Sequence, residues 1–152
     1  MTAASNYLEN EVLDHVLGEG GRIYTSPTLH VALFSNSGGG AAAALESGTN
    51  STSGTGNWGY YEINNGNYAR QGINFAAASS GSAASNSTVT FPQANANYDS
   101  AGSQGNTVTH IALMDASTGG NVLFYGALSV SKTVTNGDTF QINSGSLTIS
   151  LA

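Results

Sequence analysis

Twice the chain writes nearly the same short segment: residues 29–35 read LHVALFS and residues 109–115 read THIALMD. In both, a histidine is followed by a β-branched residue, Ala, Leu and a large apolar residue. Side chains on a strand alternate between its two faces. Leu29, Val31 and Leu33 therefore share one face, and His30, Ala32 and Phe34 the other. Apolar residues on both faces describe a strand covered, or nearly covered, from two sides. We read the repetition as two strands with equivalent packing duties, neighbours in one sheet, with His30 and His110 each holding a hydrogen bond.

Further strands are expected at residues 68–75, 87–91, 107–115, 121–128, 131–135, 139–142 and 146–151, with turn signals such as Thr118-Gly119-Gly120 and Asn136-Gly137 between them. Asn-Gly suits the two left-handed positions of a type I′ turn, so residues 133–140 are expected to form a hairpin. Seven or eight short strands with frequent turns indicate a mainly β chain, an antiparallel β-sandwich or barrel-like domain. One helix is expected over residues 5–18. Asn6 is its N-cap, Glu9 its third helical residue and Gly18 its left-handed terminator. Its apolar residues Leu8, Val12, Leu13, Val16 and Leu17 fall on one side and need cover from the domain or from a partner. Residues 35–57, rich in Gly, Ala and Ser, are expected as a long flexible exposed loop whose shortening leaves the fold intact.

The 152 residues fit a single domain. Arg22, Arg70 and Lys132 are the sole permanent cations against nine carboxylates, a net charge of −6. Nucleic-acid binding requires several cations to neutralise phosphates, which excludes DNA and RNA as expected partners. There is no cysteine, so disulfides and thiolate chemistry are absent. No segment approaches the ~20 apolar residues of a membrane span, and the N-terminus lacks the pattern of a secretion signal. The sequons at Asn50 and Asn86 are read as polar loops.

Several patterns touch on chemistry and fall short of it. Residues 54–59, GTGNWG, spell the dinucleotide fingerprint, but binding pyrophosphate needs a strand before it and a helix after it, and neither is expected there. Residues 101–105, AGSQG, loosely match a nucleophile elbow, yet the chain goes on into a strand rather than a helix. Asn95, Asn97 and Asp99 have the spacing of a calcium loop, with Ser100 where glycine is needed and Asn106 where a bidentate glutamate is needed. A zinc site takes three or four protein ligands, and His30, His110 and the remaining His15 are better read as structural. Glycoside hydrolysis needs two facing carboxylates. Asp115 and Asp138 are candidates that a fold could join, whereas five of the nine acids lie in the first 46 residues. No catalytic residue, cofactor or metal is expected. The candidate interface residues are Leu8, Val12 and Val16 on the helix and Trp58, Tyr60 and Tyr61 in the aromatic cluster.

The stretches NYLENEVLDHVLG, SPTLHVALFS, NYARQGINFAAAS, SNSTVTFPQA, VTHIALMDASTGGNVLFYGALSVSKTV and NGDTFQINSGSLTISL, in that order, resemble a family of small structural proteins of tailed bacteriophages. The most specific stretches are Tyr68-Ala69-Arg70-Gln71 and residues 115–127, and residues 35–57 look like an insertion. Members of that family are labelled tail fibre or minor tail proteins, and related small β-proteins decorate or cement capsids. The resemblance implies a virion protein without catalytic residues. The first expectation is a capsid decoration or cement protein on the outside of the major capsid protein shell. The alternative is a minor tail, tail-fibre or tail-tip component contacting other tail proteins or a host surface glycan. A homo-oligomer is expected, with a trimer favoured.

Overall fold

The computed structural model describes residues 3–17, 26–36 and 39–150. In chain order the elements are β1 (Ala3–Ala4), α1 (Asn6–Leu17), β2 (His30–Ser35), α2 (Ala41–Ser47), α3 (Trp58–Tyr61), β3 (Gln71–Gly72), β4 (Ser82–Ala84), β5 (Val89–Thr90), β6 (Thr107–Met114), β7 (Val122–Thr133), β8 (Gln141–Ile142) and β9 (Thr148–Ser150). The protein is mainly β. An antiparallel five-stranded sheet runs in the order β1-β7-β6-β2-β3, accompanied by the two-stranded ladders β4-β9 and β5-β8.

The two echoing segments are direct partners at the centre of the main sheet: Val31 lies opposite Leu113, Ala32 opposite Ala112, Leu33 opposite Ile111 and Phe34 opposite His110. Paired residues share a face, so the period-two pattern sorts into two cores. Val31, Leu33, Ile111 and Leu113 pack with Val89, Phe91, Tyr98, Phe140, Ile142 and Leu147 from the small ladders and their connections. On the other face Ala32, Phe34, Ala112, Met114 and Val122 pack with Ala41, Ala44 and Leu45 of α2 and with Trp58 and Tyr61 of α3. Each sheet face is thus covered by a different part of the chain, which is why residues 31–34 and 111–114 are apolar at every position.

That second layer corrects the expectation for residues 35–57. The segment contains α2, with Ala41, Ala44 and Leu45 buried. Alanine has the highest helix propensity and lets a helix lie close to a sheet. Asn36 Oδ1 accepts the Ala41 N–H at 3.1 Å, and Gly48, at φ 72°, ends the helix in the left-handed region.

Two further differences concern the C-terminal half. Residues 121–128 and 131–135 were expected as separate strands, and they form one, β7. Its break survives as a register slip: His110 pairs with Ala127 and Val108 with Lys132, so residues 128–131 bow out of the ladder. Asn136-Gly137 does form a turn, closed by Asp138 N–H on Thr135 C=O at 3.0 Å, but only Gly137 has positive φ (91°). That is the pattern of type II rather than type I′. The flanking strands do not pair with each other, since β7 joins β6 and β8 joins β5. The turn instead docks on residue 94, with Gly137 N–H donating to Ala94 C=O at 2.7 Å and Ala94 N–H to Asp138 C=O at 2.8 Å. A hairpin is therefore absent here because each arm finds a better partner elsewhere.

At the N-terminus Ser5, rather than Asn6, caps α1. Its Oγ accepts Leu8 N–H at 3.4 Å and donates to Val122 C=O, and its N–H donates to Leu123 C=O at 2.9 Å. One buried serine thus starts the helix and fastens it to β7. The expected terminator Gly18 lies outside the described residues.

Candidate functional site

The most interconnected polar group sits between α3 and the β6–β7 connection. Arg70 grips Glu62 with two parallel bonds, Nε to Oε1 at 2.6 Å and Nη2 to Oε2 at 2.8 Å, and the two side chains are only 4% and 14% exposed. The second terminal nitrogen, Nη1, donates to Ala116 C=O at 2.9 Å and Gly119 C=O at 2.7 Å. The guanidinium stacks over Trp58, 5.3 Å from the ring centroid. Burial by itself disfavours the arginine's charge, but the hydrogen bonds and charge of Glu62 outweigh it and push the pKa further up. Tyr68 adds its hydroxyl to Glu62 Oε1 at 3.2 Å while accepting Leu33 N–H at 3.1 Å, and burial followed by the charge of Glu62 raises its pKa well above the ordinary value. Asp115 closes the same connection by accepting Asn121 N–H at 2.6 Å and Asn121 Nδ2 at 2.8 Å. The two stretches that best carry the family resemblance, residues 68–71 and 115–127, meet at this one arginine.

The expected aromatic interface is corrected here. Trp58 and Tyr61 are buried in the chain's own core, Trp58 edge-on to Phe34 at 6.4 Å, so neither faces a partner. Tyr61 donates its hydroxyl toward Gly39 and Thr55 C=O at 3.1 and 3.0 Å, tying the α2 layer to α3. Tyr60 is half-buried: Gln104 Nε2 donates to its hydroxyl at 3.1 Å, and its ring lies where a side chain on Gly102 would have to go. Trp58 and Tyr61 are packing residues because the segment around them is a layer of the fold rather than a loop.

The other half of the expected interface is arranged differently. Leu8 is buried, whereas Val12, Leu13, Val16 and Leu17 are 45%, 55%, 71% and 70% exposed. Leu8, Val12 and Leu13 border a groove of about 560 Å³ with Ala4, Pro27, Leu29, Leu123 and Phe124. Exposed contiguous apolar surface is the feature that distinguishes candidate interaction sites from scattered single apolar residues. The structure does not bring it together with the aromatic cluster.

The remaining candidates are engaged in local structure. His30 lies opposite Met114 and His110 opposite Phe34, four residues apart along the ladder and hence about 13 Å at 3.3 Å per residue. Each has its own hydrogen bond, His30 Nδ1 with Thr28 C=O at 3.1 Å and His110 Nδ1 with Thr109 Oγ1 at 2.9 Å. Burial lowers the pKa of His110. Asp99 Oδ1 accepts Ser100 and Gly105 N–H, both at 2.9 Å, which commits the one carboxylate of the calcium-like spacing to folding the 100–105 loop. In that loop Ser103 is left-handed at φ 52°, and the chain continues into β6 instead of a helix. Asp138 accepts the N–H and hydroxyl of Thr135, each at 2.8 Å, so Asp115 and Asp138 each close a separate turn. The fingerprint at residues 54–59 is followed by the four-residue α3 but preceded by no strand. Among the described residues, no cluster of three His, Cys, Asp or Glu is placed to hold a metal.

Sequence reasoning missed the Arg70–Glu62 lock, because the partners come from irregular chain eight residues apart. It also missed a second groove of about 790 Å³ between the outer half of β7 and β8, floored by Ile111, Leu128, Phe140, Ile142 and Leu147 and rimmed by Lys132 and Asp138.

The chain, a two-cored β-domain rigidified by a buried ion pair, is a structural protein of tailed bacteriophages. Residues 3–150 match the family model described as podophage GP4 fiber I protein gp80, and the chain belongs to that family. No curated protein matches it at a significant level.

Proposed function

We propose that the protein is a non-catalytic structural module of a tail fibre, joined to other virion proteins through the exposed apolar face of α1. The observation that carries this reading is the match of residues 3–150 to a fibre family. It favours the fibre alternative over the capsid-decoration role that was the first expectation from sequence. The exposed Val12, Leu13, Val16 and Leu17 supply the surface such a role needs. Labelling virions with a gold-conjugated antibody against the protein, together with quantitative mass spectrometry of copy number, tests the location. Label at the tail with a small copy number is the expected result, and label spread over the shell at hundreds of copies returns the decoration role. A zymogram in which the purified protein clears cell-wall polymer overturns the non-catalytic reading.

A further inference from the structure

The chain contains two Asn-Gly pairs, Asn65-Gly66 and Asn136-Gly137, and the fold holds their peptide nitrogens differently. An Asn-Gly pair is prone to lose its side-chain amide, because glycine has no Cβ to keep its nitrogen from the preceding carboxamide. Whether that happens depends on where the nitrogen points. Gly137 N–H donates to Ala94 C=O at 2.7 Å, so it is drawn into a bond with another part of the chain. Gly66 N–H donates instead to Asn65 Oδ1 at 2.8 Å, within the pair itself. The carboxamide carbon is one C=O bond from that oxygen, so it lies at most about 4 Å from the Gly66 nitrogen.

The surroundings hold this arrangement. Gly66 is buried with φ 73°, Asn95 N–H donates to its C=O at 3.1 Å, and a Cβ there would lie 2.5 Å from the Ala96 carbonyl oxygen. The nitrogen is thereby fixed in place, while Asn65 is exposed to water. Turning the carboxamide carbon toward the nitrogen takes rotation about χ2, a torsion that is broad for asparagine.

We propose that Asn65 is a site of spontaneous deamidation, and that Asn136 is spared while the protein is folded. Hydroxide removes the Gly66 N–H proton, the nitrogen forms a bond to Cγ of Asn65, and the carboxamide nitrogen takes a proton from water and leaves as ammonia. The product is a succinimide ring joining residues 65 and 66. Water then breaks one of the two C–N bonds of the ring. Opening at the former side-chain carbonyl leaves aspartate; opening at the main-chain carbonyl leaves isoaspartate, whose backbone runs through the side chain and is one carbon longer. Either product adds a negative charge to a chain of net charge −6. Isoaspartate also displaces the Asn65 C=O that accepts Tyr68 N–H at 3.4 Å, and Tyr68 is the residue whose hydroxyl joins Glu62 to β2. The modification therefore reaches the Arg70–Glu62 lock, and it stands apart from the reading of the protein as a fibre module.

Trypsin separates the two pairs, because cleavage after Arg22, Arg70 and Lys132 puts Asn65 in peptide 23–70 and Asn136 in peptide 133–152. The folded full chain is incubated at neutral and at mildly alkaline pH and digested briefly, and the peptides are fragmented in a mass spectrometer to locate the change. Residue 65 is expected to gain one mass unit several-fold faster than residue 136, faster at the higher pH, with isoaspartate among the products. In guanidinium the two pairs should convert at similar rates, since only the fold distinguishes them. Asn65→Gln, at an exposed position and with a side chain that closes a ring less readily, should keep the melting temperature and hold its intact mass over the same incubation. Conversion of Asn136 as fast as Asn65 in the folded chain, protection of both in the folded chain, or an unchanged mass gain in Asn65→Gln overturns the proposal.

Discussion

Removing Arg70 should be the most damaging single change on the polar side of the fold. Arg70→Ala strips Glu62 of both bonds of its ion pair and leaves its carboxylate 14% exposed with only the Tyr68 hydroxyl at 3.2 Å. It also frees the Ala116 and Gly119 carbonyls and uncovers the Trp58 ring. Breaking a buried pair by deleting one partner costs about 3–5 kcal/mol, because the surviving charge stays buried. For a chain of this length each kcal/mol moves the melting temperature by roughly 2–4 °C, so the expected drop is about 6–20 °C. Urea unfolding followed by circular dichroism, with calorimetry, reads the change. Arg70→Lys should recover part of it, since the charge remains while the fork is lost. Replacing both members, as Arg70→Met with Glu62→Gln, should cost less than Arg70→Ala alone, because no charge is then left unpaired. A loss below about 1 kcal/mol for Arg70→Ala, the value for an exposed pair, would refute the view that this ion pair is buried and locks residues 115–120 to α3.

Leu45→Ala removes a fully buried side chain from α2 and should cost about 2–5 kcal/mol in urea unfolding; by the same reasoning, deleting α2 should abolish cooperative melting, where a true loop would have tolerated it. Gly102→Ala places a methyl group against the Tyr60 ring and should cost about 1–3 kcal/mol in the same assay, with Tyr60→Leu easing the clash. His110 has its pKa held below the ordinary 6.5 by burial, so the unfolded chain binds its proton more readily than the folded one. Its contribution is fully present above about pH 6.5 and is lost as pH falls through the lowered folded value. The melting temperature should therefore decline as pH falls from about 7 through the lowered folded value, and His110→Gln should flatten that decline; an unchanged slope in the variant argues that the imidazole is solvated.

How far the fold can be read from sequence depends on whether the deciding interaction is local. The two-sided alternation in LHVALFS and THIALMD announced the central pair, since a strand buried on both faces leaves no other pattern. The helix at residues 6–17 was legible from apolar spacing. Its cap was misplaced by one residue because Ser5 and Asn6 are both good cap formers, and the choice was made by β7, where Ser5 finds Val122 and Leu123. Asn136-Gly137 was legible as a turn. Which turn it formed depended on distant partners: Val134 bonds with Tyr98 and Asn106, Phe140 with Phe91, and the turn itself docks on Ala94. Residues 41–47 carried a usable signal, an alanine run between Gly40 and Gly48, which the surrounding Gly and Ser obscured. Without a stripe of large residues, the helix declares itself only through what it lies against.

The candidate site divides along the same line. Val12 and Val16 could be singled out because an amphipathic helix shows its apolar face in the sequence, whether or not that face is covered. Trp58 and Tyr61 could not be told from interface aromatics, since large aromatic side chains fill cores and interfaces alike. Arg70 settles their role: a cation held over Trp58 by Glu62 fixes α3 against the sheet, and the same cation holds the 115–120 connection. The two most specific of the stretches that carry the family resemblance, residues 68–71 and 115–127, therefore meet in a lock on the fold. Substitutions at the exposed Val16 should consequently leave the shape unchanged, because Arg70, Glu62 and both cores, which hold it, are untouched.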